Sequence, residues 1–196
     1  MNTKPDYNAL YEIAERQAGY FSAGQARTAG FSWERLSENA RGGRFIRIQQ
    51  GIYRLAQFPA SRFEDLFIAW LRAGPSATIS HESALSVFDL SDILPADVHV
   101  TIPRSASRRR SGIKIHTRLL APEEITWREG LPVTRAERTI TDVLQEGIAE
   151  EQVRKAIQEA IARGIITPES MLKQAASLGK ATLQRIQNMI TETASS

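Results

Sequence analysis

Glycine and helix-capping serine cut residues 19–55 into short pieces, and the order of those pieces leaves few folds open. Gly19 ends an amphipathic run over residues 6–18 in which Tyr7, Leu10, Tyr11, Ile13 and Ala14 share a helical face. Ser22 and Gln25 then form a capping-box pair, the serine accepting from an exposed N–H and the glutamine reaching back to the serine's own N–H. This starts a short second helix that runs through Ala29. Gly30-Phe31-Ser32 turns the chain and caps a third helix, Trp33 to Arg41, with Trp33, Leu36 and Ala40 facing inward; Gly42-Gly43 stops it. Two β-prone runs, Arg44–Ile48 and Ile52–Leu55, flank Gln49-Gln50-Gly51 and predict a hairpin. Helix, short helix, glycine turn, helix and hairpin is the order of a winged helix-turn-helix, assigned to residues 1–57.

Ala56 to Ser61, with Pro59, reads as a linker, and a second domain is assigned to residues 62–191. Phe63, Leu66, Phe67, Trp70 and Leu71 predict an amphipathic helix that Gly74-Pro75 ends. Ser80 is positioned to cap a helix carrying Ala84, Leu85 and Phe88. Asp97 to Ile102 alternates as a strand with its valines and Ile102 on the buried face, and Ile113 to His116 alternates likewise. Thr134-x-x-Glu137 predicts a second capping box before a helix bearing Ile140, Val143 and Leu144, closed by Gly147. From Glu150 the chain reads as helical: one helix to Gly164, one opened by Thr167-Pro168-Glu169, and a last one over 181–190. The fold class is α+β, a winged helix-turn-helix followed by an α/β domain with a helical C-terminal part.

The residue inventory excludes several chemistries. There is no cysteine, so disulfides, zinc ribbons and thiol catalysis are out, and the chain fits a reducing cytoplasm. Only His81, His99 and His116 carry imidazole, so a histidine-based zinc site would need all three or help from a carboxylate. No apolar run approaches the roughly 18–20 residues of a membrane span. Met1 to Asp6 has no apolar stretch behind it, so no signal peptide is expected. Asp97-x-His99 offers one strand carboxylate but no second, and no Gly-Ser turn precedes it, so the nucleotidyltransferase pattern fails. Lys114 follows Gly112-Ile113 rather than the acid of a metal-dependent nuclease, and His81-Glu82 lacks the later histidine of a zinc protease helix. His99 and His116 are read as polar-face residues that pair across a sheet. No catalytic residue, metal ligand or cofactor is assigned.

Net charge is only +3, but it is unevenly placed. Six arginines between Arg27 and Arg54 face only Glu34 and Glu38. The third helix with its capping Ser32 and the hairpin therefore supply the expected DNA contacts. Arg35, Ser37, Asn39 and Arg41 read base edges, because arginine pairs with guanine and asparagine with adenine. Arg44, Arg47 and Arg54 reach phosphates. Glu34 and Glu38 repel phosphate, which favours selective over indiscriminate binding, or else they simply face solvent. A second basic segment, Arg104, Arg108, Arg109, Arg110, Lys114 and Arg118, has no acid within it and suits DNA, RNA, an acidic protein or plain solvent.

Taken in order, Phe21-Ser22 through Leu55, Ile79 to Leu85, Val98 to Pro103 and Pro132 to Asp142 resemble the AbiEi family of antitoxins of type IV toxin–antitoxin systems. The resemblance implies a repressor whose N-terminal winged helix binds inverted repeats in double-stranded DNA, two copies per operator, and regulates its own operon. It also implies a C-terminal domain that counteracts a nucleotidyltransferase-like toxin, often without a stable complex, and no enzyme activity. Two other readings stay open on the residues alone: a nucleic-acid-processing enzyme with a degenerate metal site, and a winged-helix module that binds protein.

Overall fold

The computed structural model describes residues 4–91, 95–103 and 111–193. The chain divides into two compact units, residues 1–76 with 129–131, and residues 77–128 with 132–196. The sequence-based boundaries at 57 and 62 differ from this division, because the helix after residue 62 packs on the first unit.

That unit opens with α1 (Tyr7–Glu15), capped by the Asp6 carboxylate, which accepts from the N–H groups of Asn8 and Ala9. A short strand β1 (Tyr20–Ser22) follows, then α2 (Ala23–Thr28) and α3 (Trp33–Arg41). Both halves of the Ser22/Gln25 capping box form, at 3.2 and 2.8 Å. Ser32 caps α3 by accepting from the Arg35 N–H. Strands β2 (Phe45–Gln49) and β3 (Ile52–Leu55) make the hairpin, and β1 adds to it antiparallel, in the order β1-β3-β2. Three residues are too few to show a period, so β1 left no mark in the sequence.

Leu10, Ala14, Phe21, Ala26, Phe31, Leu36, Phe45 and Tyr53 form the core of this unit. Phe21 meets Phe45 edge-on at 5.1 Å, and Phe31 lies 5.7 Å from Phe45, so the turn before α3 is pinned to the sheet by aromatic contact. Helix α4 (Glu64–Ala73) docks through Tyr20, which stacks on Phe67 at 4.7 Å and donates its hydroxyl proton to Glu64.

The second unit is built on a five-stranded mixed sheet, β6-β5-β4-β8-β7. Its strands are β4 (Thr78–Ile79), β5 (Val98–Ile102), β6 (Ile113–Thr117), β7 (Ile125–Arg128) and β8 (Leu131–Thr134). β5 runs antiparallel to β4 and parallel to β6. Helix α5 (His81–Val87) follows β4, and α6 (Ala136–Glu146), α7 (Glu150–Ala162), α8 (Pro168–Ser177) and α9 (Lys180–Thr193) complete the unit. The helical C-terminal part has the extent expected, with Thr167 capping α8 and Gly147 ending α6 in the left-handed region.

Two expected caps do not form. Ser80 makes no cap hydrogen bond to α5; its hydroxyl faces Thr101 and the His81 ring instead. Thr134 ends strand β8 rather than starting α6, and its hydroxyl lies 2.7 Å from that of Thr139. The alternation of β5 was expected to leave His99 and Thr101 on an open face, yet both are buried, so this strand is covered on both sides.

Candidate nucleic-acid interface

Helix α3 and the β2–β3 hairpin carry most of the expected DNA-contacting residues, and the structure separates them into two groups. Arg35, Ser37 and Arg41 are exposed on α3, and Arg44 and Arg47 are exposed at the start of the hairpin. Arg35 is paired with Glu38 at 3.2 Å, both side chains more than half exposed. Such a pair is worth at most about 1 kcal/mol, so a phosphate or a guanine edge can replace it. Glu34 is held ionised below the usual carboxylate range by its hydrogen bond with Ser32. Ser32 itself is occupied in capping α3.

Asn39 and Arg54 belong to the interior. Asn39 is buried; its amide donates to the Arg35 carbonyl at 2.8 Å, and its Oδ1 accepts from the Tyr7 hydroxyl at 3.2 Å. With both ends of the amide engaged, it cannot read adenine. Arg54 is 9% exposed, opposite Tyr20 on β1, with its guanidinium 5.7 Å from the Tyr20 ring. Buried there, it does not reach a phosphate as expected.

Trp33 reverses in the other sense. It was expected inward and is 55% exposed, with the Arg27 guanidinium 5.6 Å from its ring. A helical side chain covers the turn before its own position, and a residue at the first position of α3 has no such turn. Phe31 fills the core there instead. The exposed Arg27–Trp33 pair therefore joins the same helix end as a candidate contact that periodicity alone hid. Arg44 lies 5.9 Å from the Tyr7 ring, which links the hairpin approach to α1.

In the second basic segment, Arg104, Arg108, Arg109 and Arg110 lie outside the described residues. Lys114 is bonded to Glu146 at 2.5 Å, which offsets its charge. Arg118 is exposed, and its backbone N–H donates to Ile102.

The second unit also gathers all three histidines of the chain, one each from α5, β5 and β6, within 4.8 Å of one another by one ring nitrogen each. The expected pairing of His99 and His116 across neighbouring strands is present, Nδ1 to Nε2 at 3.4 Å. His81 stacks on His116 with centroids 3.6 Å apart. Burial pushes His81 down to about 2 and His99 to about 4, with His116 lowered by the same cause, so all three rings are neutral near pH 7. These are the residues that could hold a metal. Separated along the chain, they show no ligand spacing in the sequence, which assigned no metal site to them. Nearby, Arg138 is buried between Asp142, at 2.8 Å, and Glu124.

Residues 8–56 match the model of a family described as transcriptional regulator, AbiEi antitoxin. The match falls within the first unit and spans α1 to the end of the hairpin. The chain is thus an α+β protein whose residues 8–56 are similar to AbiEi antitoxin regulators, as the sequence resemblance implied. Among solved structures, the RV2827C protein from Mycobacterium tuberculosis shares the fold with a TM-score of 0.51 at 13% identity, covering 94% of this chain and 75% of that one. No curated protein matches the sequence. Among the described residues, no helix is long and apolar enough to cross a membrane.

Proposed function

We propose that this chain is a sequence-specific DNA-binding repressor that regulates its own operon and acts as the antitoxin of a nucleotidyltransferase-like toxin. The observation that carries the DNA-binding half is the exposed arginine set Arg35, Arg41, Arg44 and Arg47 on one helix and the hairpin that follows it, within the segment of AbiEi type. In this reading residues 1–57 act as a winged helix-turn-helix. Helix α3 enters the major groove with Arg35, Ser37 and Arg41 toward base edges, and Arg44 and Arg47 take phosphates. The Glu34 and Glu38 side chains penalise any register that brings them to phosphate, so the surface works by selection rather than by bulk charge. An inverted-repeat operator takes two copies of the chain, one per half-site. The antitoxin half rests on the family match alone.

Binding of the intact protein to its own upstream DNA and to scrambled DNA tests this. Specific binding that Arg41→Ala weakens supports the reading; equal, weak binding of both DNAs removes it. Growth of cells that express a neighbouring nucleotidyltransferase-like gene, with and without this chain, tests the antitoxin half.

A further inference from the structure

The three histidines come from three elements that the fold alone brings together: the first residue of α5, the second of β5 and the fourth of β6. Their order of contact is specific. His99 Nδ1 and His116 Nε2 lie 3.4 Å apart, close to the separation of two nitrogens on one tetrahedral ion with bonds of about 2.0–2.1 Å. Two neutral imidazole nitrogens at that distance either share one proton or share an electrophile.

The outer ring nitrogens each face an oxygen. His81 Nδ1 is 3.0 Å from Ser80 Oγ, His99 Nε2 is 3.8 Å from Glu82, and His116 Nδ1 is 3.9 Å from Glu146. Glu146 is itself held by Lys114. In His99 and His116 one nitrogen faces the other ring while the second faces a carboxylate a few tenths of an ångström beyond hydrogen-bond distance, and a small closure of that gap gives the backing that orients metal-bound histidine. The backbone at His81 adds an independent sign. Its φ is +51°, in the left-handed region that few side chains other than asparagine, aspartate and histidine adopt, at the residue whose ring stacks on His116.

We propose that His81, His99 and His116 bind one divalent first-row transition-metal ion of the zinc type, which ties α5 to the β5–β6 edge of the sheet. The donor set selects this class. Imidazole suits zinc, cobalt, nickel and copper, whereas magnesium and calcium take oxygen. Three imidazole nitrogens leave a fourth position for water, with Glu82 behind the outer nitrogen of His99. Binding draws the nitrogens, now up to 4.8 Å apart, onto one ion and opens the His81–His116 stack by ring rotation.

The test uses tag-free, chelator-stripped full-length protein. Because the chain has only three histidines, their ring NMR signals report the site directly in the unaltered protein. One equivalent of Zn2+ is expected to shift all three sets in slow exchange. Co2+ is expected to give visible ligand-field bands that saturate at one equivalent. His116→Asn and His81→Asn, the latter compatible with the left-handed backbone, are expected to abolish the cobalt bands while far-UV circular dichroism is unchanged. Glu82→Gln is expected to weaken binding by about 10-fold. Histidine signals that stay put at one equivalent of Zn2+, or metal binding that survives His116→Asn unaltered, overturns the proposal.

Discussion

Asn39 shows how a residue type suited to DNA can be consumed by the fold. Its position on α3 fits adenine recognition, but its amide closes a part-buried link from Tyr7 to the backbone of Arg35. Asn39→Ala removes two part-buried side-chain hydrogen bonds, from the Tyr7 hydroxyl and to the Arg35 carbonyl, and is expected to lower stability by about 1–2 kcal/mol. Arg41→Ala on the exposed face is expected to change stability by no more than about 0.5 kcal/mol. Urea unfolding of the two variants checks both. Arg54 makes the opposite point about charge. Its Nε and Nη1 are buried with no hydrogen-bond partner among the described residues. Arg54→Met is therefore expected to leave the salt dependence of DNA binding unchanged. Arg44→Ala and Arg47→Ala should each lower the slope of log K against log salt by about one unit. An Arg54→Met slope that falls by the same amount would place this side chain at the DNA after all.

At the scale of elements, what the sequence shows depends on length and punctuation. α1 to α9 were legible because apolar residues recur at helical spacing and glycine or a polar residue of capping type marks most of the ends. β1, β4, β7 and β8 were not, because strands of two to four residues carry no readable alternation. The Thr134-x-x-Glu137 signature failed for a physical reason: Thr134 is still the last residue of β8, the N-cap position of α6 falls one residue later at Arg135, and the Thr134 hydroxyl meets the Thr139 hydroxyl on α6 instead of a free N–H at the helix end. The turn between α2 and α3 rests on Gly30, whose φ is +84° and where an added Cβ would sit 2.9 Å from the Lys4 carbonyl oxygen. Gly30→Ala is expected to destabilise the protein by at least about 1 kcal/mol and to weaken DNA binding, since the turn sets the start of α3. Thermal melting and a binding isotherm on the same preparation check this.

At the scale of the whole molecule, the candidate DNA interface was largely visible before the structure and the histidine cluster was not. Arg35, Ser37, Arg41, Arg44 and Arg47 are local: a helix and a hairpin next to each other in sequence place them. His81, His99 and His116 meet only through the parallel pairing of β5 with β6 and the antiparallel pairing of β5 with β4, which leads into α5. No pattern of spacing encodes that. The two features sit in different compact units, so their energetics are expected to add. Zn2+ should raise the melting temperature of Asn39→Ala by as much as that of the unaltered chain, which differential scanning calorimetry resolves.

The central claim is that α3 and the hairpin read DNA sequence. Its most direct test is a salt series of binding to the protein's own upstream DNA and to a scrambled duplex, with Arg35→Ala alongside. Tight binding to its own DNA is expected, much weaker binding to the scrambled duplex, affinity that falls with salt, and a loss of about 1–3 kcal/mol of discrimination in Arg35→Ala. Equal affinity for the two duplexes, with Arg35→Ala indistinguishable from the unaltered chain, would contradict it.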